Sequence, residues 1–228
     1  MDLRDEEQEM MTKTSSLLSI IEDIWSQLQP DRPDLPDALF TLGSGAEPRG
    51  GMRNGHYAYH RWRTGDSGEA ICEIFIGGEG LKRGGRPVMA TILHEATHAL
   101  ARSRNIRNTS DGNRYHNRRF MRLAMDEFGL VFPRGKEYKI GWSSGVIEDS
   151  NHSYDEYISR LDTMIGNEQL YMVNAHEAEG KPVAQKRSRP RWRCACDDKD
   201  RYITPNKTIV EAGGICCAIC GEPFREDE

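Results

Sequence analysis

Residues 91–100 read Thr-Ile-Leu-His-Glu-Ala-Thr-His-Ala-Leu. On an α-helix, positions four apart stand one above the other. His94 and His98 then share a face and can hold one metal ion between them. Glu95, one step round, can reach a water on that ion. Met89, Ile92, Leu93, Ala96, Ala99 and Leu100 surround the motif, so the helix is expected to be buried, and buried His and Glu need partners that a metal supplies. The plainer reading is two satisfied core histidines and a surface Glu.

Outward from this stretch, the flanking sequence predicts a small mixed α+β domain. Leu17, Ile20, Ile21, Ile24, Trp25 and Leu28 recur at helical spacing over 14–29, and Pro30, Pro33 and Pro36 end that helix. Ala38–Leu42 reads as a short strand, and 43–55, with five glycines, as a loop. His56–Arg63 and Glu69–Ile76 read as two strands joined by the turn Thr64-Gly65-Asp66-Ser67-Gly68. Ala70, Cys72, Ile74 and Ile76 share one face of the second. Such a hairpin ahead of a metal helix is a common peptidase arrangement, because an edge strand can pair with an extended peptide. The motif helix spans about 86–102, residues 103–114 read as loop, and a second helix covers 115–128 with Gly129 at its end. Residues 129–152 look irregular, and Ser153-Tyr154-Asp155-Glu156 has the form of a capping box opening a further helix.

A catalytic zinc takes three protein ligands and leaves one position open. Ala101 and Arg104 stand where a metzincin would place Gly and His, which excludes that form. Glu127, the only Glu of the next helix, lies at its far end. His116, at the start of that helix, is the better third ligand; its plain alternative is a surface His beside arginines. Glu95 would take a proton from the water and pass it to the leaving amine. Tyr115 and the arginines of 114–122 are candidates for stabilising an oxyanion.

Six cysteines occur, and five fall in the last 35 residues. Cys72, the sixth, reads as an inert buried thiol. Cys194, Cys196, Cys217 and Cys220 form two knuckles that offer four thiolates to a closed structural zinc, with Cys216 as a competitor for Cys217. A segment of that length has too little core to fold without the metal. Gly221 suits a tight turn that directs backbone amides at the sulfurs.

Net charge is −5 over 228 residues, unevenly spread. Residues 1–37 hold ten acids and three bases, whereas 102–122 hold seven arginines and one acid. Residues 181–193 hold six bases and no acid. In this last stretch Lys186, Arg187, Arg189, Arg191 and Arg193 flank Trp192, a combination suited to phosphates and an exposed base; a solvated linker is the alternative. No run approaches the ~20 apolar residues of a membrane helix, and the acidic N-terminus lacks the form of a secretory signal. The expectation is a cytoplasmic protein, nucleoid-associated or nuclear if bound to DNA, with no membrane partner. The expected organisation is an N-terminal helical segment (1–35), a catalytic domain (36–175), a basic linker (176–191) and a zinc unit (192–228).

The motif helix, the strand ending at Ile76 before it, and Tyr115-His116-Asn117-Arg118-Arg119-Phe120-Met121 after it together resemble the SprT-like metallopeptidase domain. His116 and Phe120 match that family's His-x-x-x-Phe segment, and many members carry a C-terminal zinc ribbon. The resemblance spans roughly 36–220. It implies a zincin-like domain with a small antiparallel sheet packed on the helices that bear the motif, plus a ribbon, and one catalytic and one structural zinc. It also implies endopeptidase activity: relatives of the Spartan type are DNA-dependent proteases that cleave proteins crosslinked to DNA. The expected partners are a protein substrate and DNA, preferentially single-stranded. Two other readings stay open: a nucleic-acid-binding protein that uses both zincs as scaffolds, and a peptidase without a nucleic-acid link.

Overall fold

The computed structural model describes residues 3–47, 51–63, 65, 68, 70–110, 115–137, 140–167, 170–173, 192–194, 196 and 202–226, with backbone alone for 3–11, 167, 202, 207 and 226. Most of the turn 64–68, Arg114, and the basic stretch with Lys186, Arg187, Arg189 and Arg191 lie outside the described residues. The chain divides into two compact units, Met1–Glu179 and Gly180–Glu228.

In the first unit, helix α1 (Leu3–Leu28) buries Leu17, Ile21, Ile24, Trp25 and Leu28. Fully burying one such side chain is worth about 1.5–3 kcal/mol, so this stripe anchors the helix. The Trp25 indole N–H donates to Pro36 O at 3.0 Å, which folds the proline-rich turn back on the helix. The same apolar cluster takes in the strand Ala38–Gly43 and the helices α2 (Gly85–Ser103), α3 (Arg118–Phe128) and α4 (Asp155–Asp162), so Leu17, Ile21, Ile24, Trp25, Leu28 and Leu35 share one core with the segment expected as a separate domain at 36–175.

Strands β1 (Ala38–Gly43), β2 (Gly55–Arg63) and β3 (Ala70–Gly77) form a sheet in the order β1-β3-β2. β2 and β3 are antiparallel, as the hairpin predicts, but β1 runs parallel to β3. The sheet is therefore mixed, not antiparallel. Cys72, Ile74 and Ile76 are buried, so the apolar β3 takes the sheltered centre and leaves β1 and β2 as edges. Glu79, in the 3₁₀ turn Gly78–Arg83 that follows β3, accepts from Ser44 Oγ (2.6 Å) and Gly45 N (2.8 Å), tying the end of β1 to that turn.

Helix α2 (Gly85–Ser103) runs through the core, with Met89, Ile92, Leu93, Ala96, Ala99 and Leu100 fully buried. Its first N–H is satisfied from afar: Gly85 N donates to Asp162 Oδ1 at 2.5 Å, from α4 (Asp155–Asp162). Two corrections concern helix starts. α3 begins at Arg118, not at Tyr115, because the Asn117 side chain caps it, accepting from Arg119 N and Phe120 N. Tyr115–His116 is instead a short strand, β5, paired with β4 (Thr109–Ser110) in what reads as loop. Ser153 caps nothing: Tyr154 holds the N-cap position of α4 without a side-chain cap bond, and its hydroxyl donates to Phe128 O at 3.1 Å.

The second unit is a three-stranded sheet of two-residue strands, β6 (Trp192–Arg193), β7 (Tyr202–Ile203) and β8 (Arg225–Glu226), with a short helix α5 (Lys207–Glu211). Its buried cluster is small: Cys194, Cys217 and Phe224, with Trp192, Cys196, Ile203 and Ile215 packed against it. Among the described residues no helix is long and apolar enough to cross a membrane.

Candidate metal centres and cleft

His94 and His98 share one face of α2, and β5 delivers His116 to them. The three Nε2 atoms form a near-equilateral triangle: 3.3 Å for His94–His98, 3.2 Å for His94–His116 and 3.0 Å for His98–His116. Nitrogens sharing a tetrahedral zinc at ~2.0–2.1 Å stand ~3.3–3.4 Å apart, so the donor set fits such an ion closely. The outer nitrogens of two rings are hydrogen-bonded. His116 Nδ1 donates to Ile140 O at 3.2 Å. The Asn108 amide nitrogen lies 2.8 Å from His98 Nδ1 and donates to it. With its Nδ1 proton on the Ile140 carbonyl, His116 presents a bare Nε2 lone pair inward, and one shared cation would draw all three Nε2 atoms to these distances.

Phe120 packs 4.6–4.8 Å, centroid to centroid, from all three imidazoles and is itself fully buried. The segment 140–142 closes the other side. Trp142 N donates to His116 O, and His116 N donates to Ile140 O. A Cβ on Gly141 would lie 2.0 Å from His116 O, and its φ of +69° is costly for any other residue. Burial and the neighbouring His98 and His116 hold His94 well below its ordinary pKa. Burial and His116 hold His98 down to about 3. Burial also lowers His116, against the Ile140 carbonyl. Each of these shifts favours the neutral imidazole, the form that binds metal.

Glu95 is 4% exposed. Burial pushes its carboxyl up to about 8, while the backbone N–H of Tyr57 and the charge of Arg53 pull it down. It faces β2 at Gly55, where a Cβ would meet Thr91 Cγ2 at 2.8 Å and Glu95 Oε1 at 3.0 Å. Only glycine leaves the carboxylate this room.

The three imidazoles and Glu95 line one cleft of ≈2300 Å³ with Tyr57, Tyr59 and Tyr115. Arg53, Arg83, Arg86, Arg102, Arg107 and Arg134 also line it, against the acids Glu47 and Glu95. Of the expected oxyanion candidates, Tyr115 faces the cleft, whereas Arg118, Arg119 and Arg122 are exposed and not among its lining. Glu127 pairs with Arg104 and Arg32, well occupied away from the triangle.

In the second unit Cys194, Cys196, Cys217 and Cys220 bring their sulfurs together. The spacings are 3.1 Å (Cys194–Cys196), 3.4 Å (Cys194–Cys220) and 3.7 Å (Cys196–Cys217). They exceed a disulfide bond of ~2.05 Å and approach the ~3.8 Å edge of a tetrahedron of ~2.3 Å Zn–S bonds. Cys216 is exposed and stands outside the group. Gly221 takes φ +76°, and the N–H groups of Cys220 and Ile219 point at Cys217 Sγ, holding its thiol down to about 6.

Asn108, Gly55 and the 140–142 segment escape the sequence reading. Each acts through a contact that no local spacing announces.

No protein-family model, curated protein or solved structure matches the chain. The site's chemistry therefore rests on its own geometry.

Proposed function

We propose that the first unit is a zinc-dependent endopeptidase domain of the SprT-like kind, acting on proteins at or near DNA, and that the second is a structural zinc ribbon. The observation that carries this is the triangle of Nε2 atoms with Glu95 next to it on the same helix, at one cleft. A zinc held by His94, His98 and His116 supplies Lewis acidity to a scissile carbonyl and makes water a nucleophile near neutral pH. Glu95 is the general base: a carboxylate oxygen takes the proton of the attacking water and returns it to the leaving nitrogen. The hydrogen bond from Tyr57 N–H and the charge of Arg53 favour the carboxylate form that accepts this proton, against the opposing effect of burial. The regular part of edge strand β2, Gly55–Ala58, gives an extended peptide backbone groups to pair with beside the cleft. Tyr115, at the cleft wall, is the group placed to donate to a developing oxyanion. Cys194, Cys196, Cys217 and Cys220 hold the second zinc.

The DNA half of the reading rests on charge: among the described residues, six arginines line the cleft against two acids. The compartment that follows is cytoplasmic, at the nucleoid or in the nucleus. Cleavage of a DNA-binding protein should be measured with and without single-stranded DNA, for wild type and Glu95→Gln. Wild type should cleave, faster with DNA, and Glu95→Gln should not. Equal behaviour of the two proteins would leave a nucleic-acid-binding protein with two scaffold metals. Cleavage indifferent to DNA would leave a peptidase alone. Metal analysis should return two zinc ions per chain.

A further inference from the structure

Edge strand β2 does not run straight. Ala58 pairs with Glu73 and Trp62 with Ile71, so four steps along β2 answer two along β3. Tyr59, His60 and Arg61 are thereby pushed out of the ladder as a wide bulge. His60 sits at φ +50°, a conformation a side-chain-bearing residue adopts only where its surroundings impose it. What the bulge achieves is a stack of flat groups. The Tyr59 ring lies 3.6 Å from that of His60 at an interplanar angle of 20°. The Arg102 guanidinium stands 4.1 Å from the Tyr59 centroid. Arg102 belongs to the last turn of α2, one turn beyond His98, and lines the cleft together with Tyr59. Beside the stack, Trp62 is 43% exposed and Tyr59 47%. Arg61 and Arg63 flank Trp62, both exposed, with Arg61 lying 3.6 Å from Glu73.

Two occupants could use exposed rings at a sheet edge, and the bulge decides between them. An extended polypeptide needs a continuous ladder of backbone groups, and here the ladder breaks at Ala58. A single nucleic-acid strand needs none: it stacks bases on aromatic and guanidinium planes and sets its phosphates against cations. We infer that the bulged end of β2, with Trp62 and the His60 and Arg102 ends of the stack that Tyr59 holds together as stacking planes and Arg61 and Arg63 as phosphate contacts, is a docking platform for single-stranded nucleic acid at the mouth of the cleft. This deepens the DNA half of the function proposed above, but it stands on binding alone, so failure of the peptidase reading leaves it intact.

The test is a fluorescence-anisotropy titration of the full-length, zinc-loaded chain with a labelled oligothymidylate at two salt concentrations. Stacking lost at one base corresponds to a roughly 5- to 150-fold rise in Kd, expected for Trp62→Ala and for Tyr59→Ala. His60→Gly relieves the backbone constraint, so it should melt no lower than wild type yet bind more weakly. A variant with Lys186, Arg187, Arg189 and Arg191 changed to Ala serves as background, in which Trp62→Ala should produce the same fold-loss again. Photocrosslinking of a bromouracil oligonucleotide to the wild-type chain should map to residues 59–63, independent of any variant's folding. Wild-type affinity in folded Tyr59→Ala and Trp62→Ala proteins, or crosslinks confined to 181–193, would overturn the proposal. So would a rise in KM for a peptide substrate with oligonucleotide affinity unchanged, which would make the platform a polypeptide contact.

Discussion

The histidine and cysteine clusters bring metal donors together in opposite ways. The His94–His98–His116 triangle sits on a core that stands by itself: α2 is buried along most of its length, and Phe120 backs all three rings. The cysteine group sits in a unit whose buried cluster is Cys194, Cys217 and Phe224. In the first, the fold positions the ligands; in the second, the ligands are most of the core. A site prepared by its fold can spare a coordination position for chemistry, whereas a site that holds its fold together cannot.

Removing metal should separate the two most sharply. Chelation should unfold the second unit, since a structural zinc supplies about 10–16 kcal/mol to a fold of this kind, and leave the first folded. Circular dichroism and amide exchange on the chelated full chain would show it; equal protection in both units would erase the distinction. Cys217→Ser should act like chelation on the second unit, and Cys216→Ser should not.

Glu95→Gln should lower the rate of peptide hydrolysis about 10²–10⁴-fold while both zinc ions remain bound, as read by metal analysis beside single-turnover kinetics. Loss of the first zinc in this variant would mean that Glu95 holds the site rather than performing chemistry.

Phe120→Ala should destabilise the first unit by about 3–5 kcal/mol, the cost of emptying a buried aromatic site, and loosen all three imidazoles together. Urea unfolding and zinc titration should shift in step. Asn108→Ala should do less: a 10–100-fold loss in zinc affinity with the urea midpoint barely moved.

The smallest effect concerns protons. In the metal-free chain the unfolded histidines bind protons below about 6.5 that the buried imidazoles refuse, His98 down to about 3. Their contribution to stability is complete above the unfolded value and drains as pH falls toward the folded one, on the order of 1 kcal/mol per pH unit. Glu95 has the opposite sign. Its carboxyl, pushed up to about 8, binds in the folded chain a proton that the unfolded chain releases near its ordinary value, so its contribution is lost as pH rises through 8. Urea midpoints across this window, for wild type and Glu95→Gln, should show acid loss in both and the alkaline decline in wild type alone.

The parts legible in the sequence are those set by local spacing. His94 and His98 lie one helical turn apart on a helix whose apolar neighbours bury it. The four thiols fall in two tight knuckles closed by a glycine of left-handed φ. The hairpin β2–β3 follows from alternation and turn residues. The rest depends on segments distant in the chain. Alternation says that β3 is buried on one face but not that β1 lies parallel beside it. His116 reads as part of a helix begun at Tyr115, because the Asn117 cap that starts that helix is overshadowed by its neighbours' periodicity. The Gly141 contact on His116 O and the Asn108 bond to His98 Nδ1 leave no mark in the residues around them.

What the sequence by itself determined was donor chemistry: three imidazoles, four thiols and one carboxylate, in an order that periodicity alone could assign to a helix and two knuckles. Tertiary structure decided how the donors meet. The third nitrogen's approach to 3.0 Å, the glycine that leaves Glu95 its space, the choice of Cys217 over Cys216, and the bulge that turns Tyr59 and His60 out beside Arg102 were all settled there. The reason is physical: helical and strand periods act over a few residues, while a ligand's position is fixed by packing and hydrogen bonds between residues tens of positions apart.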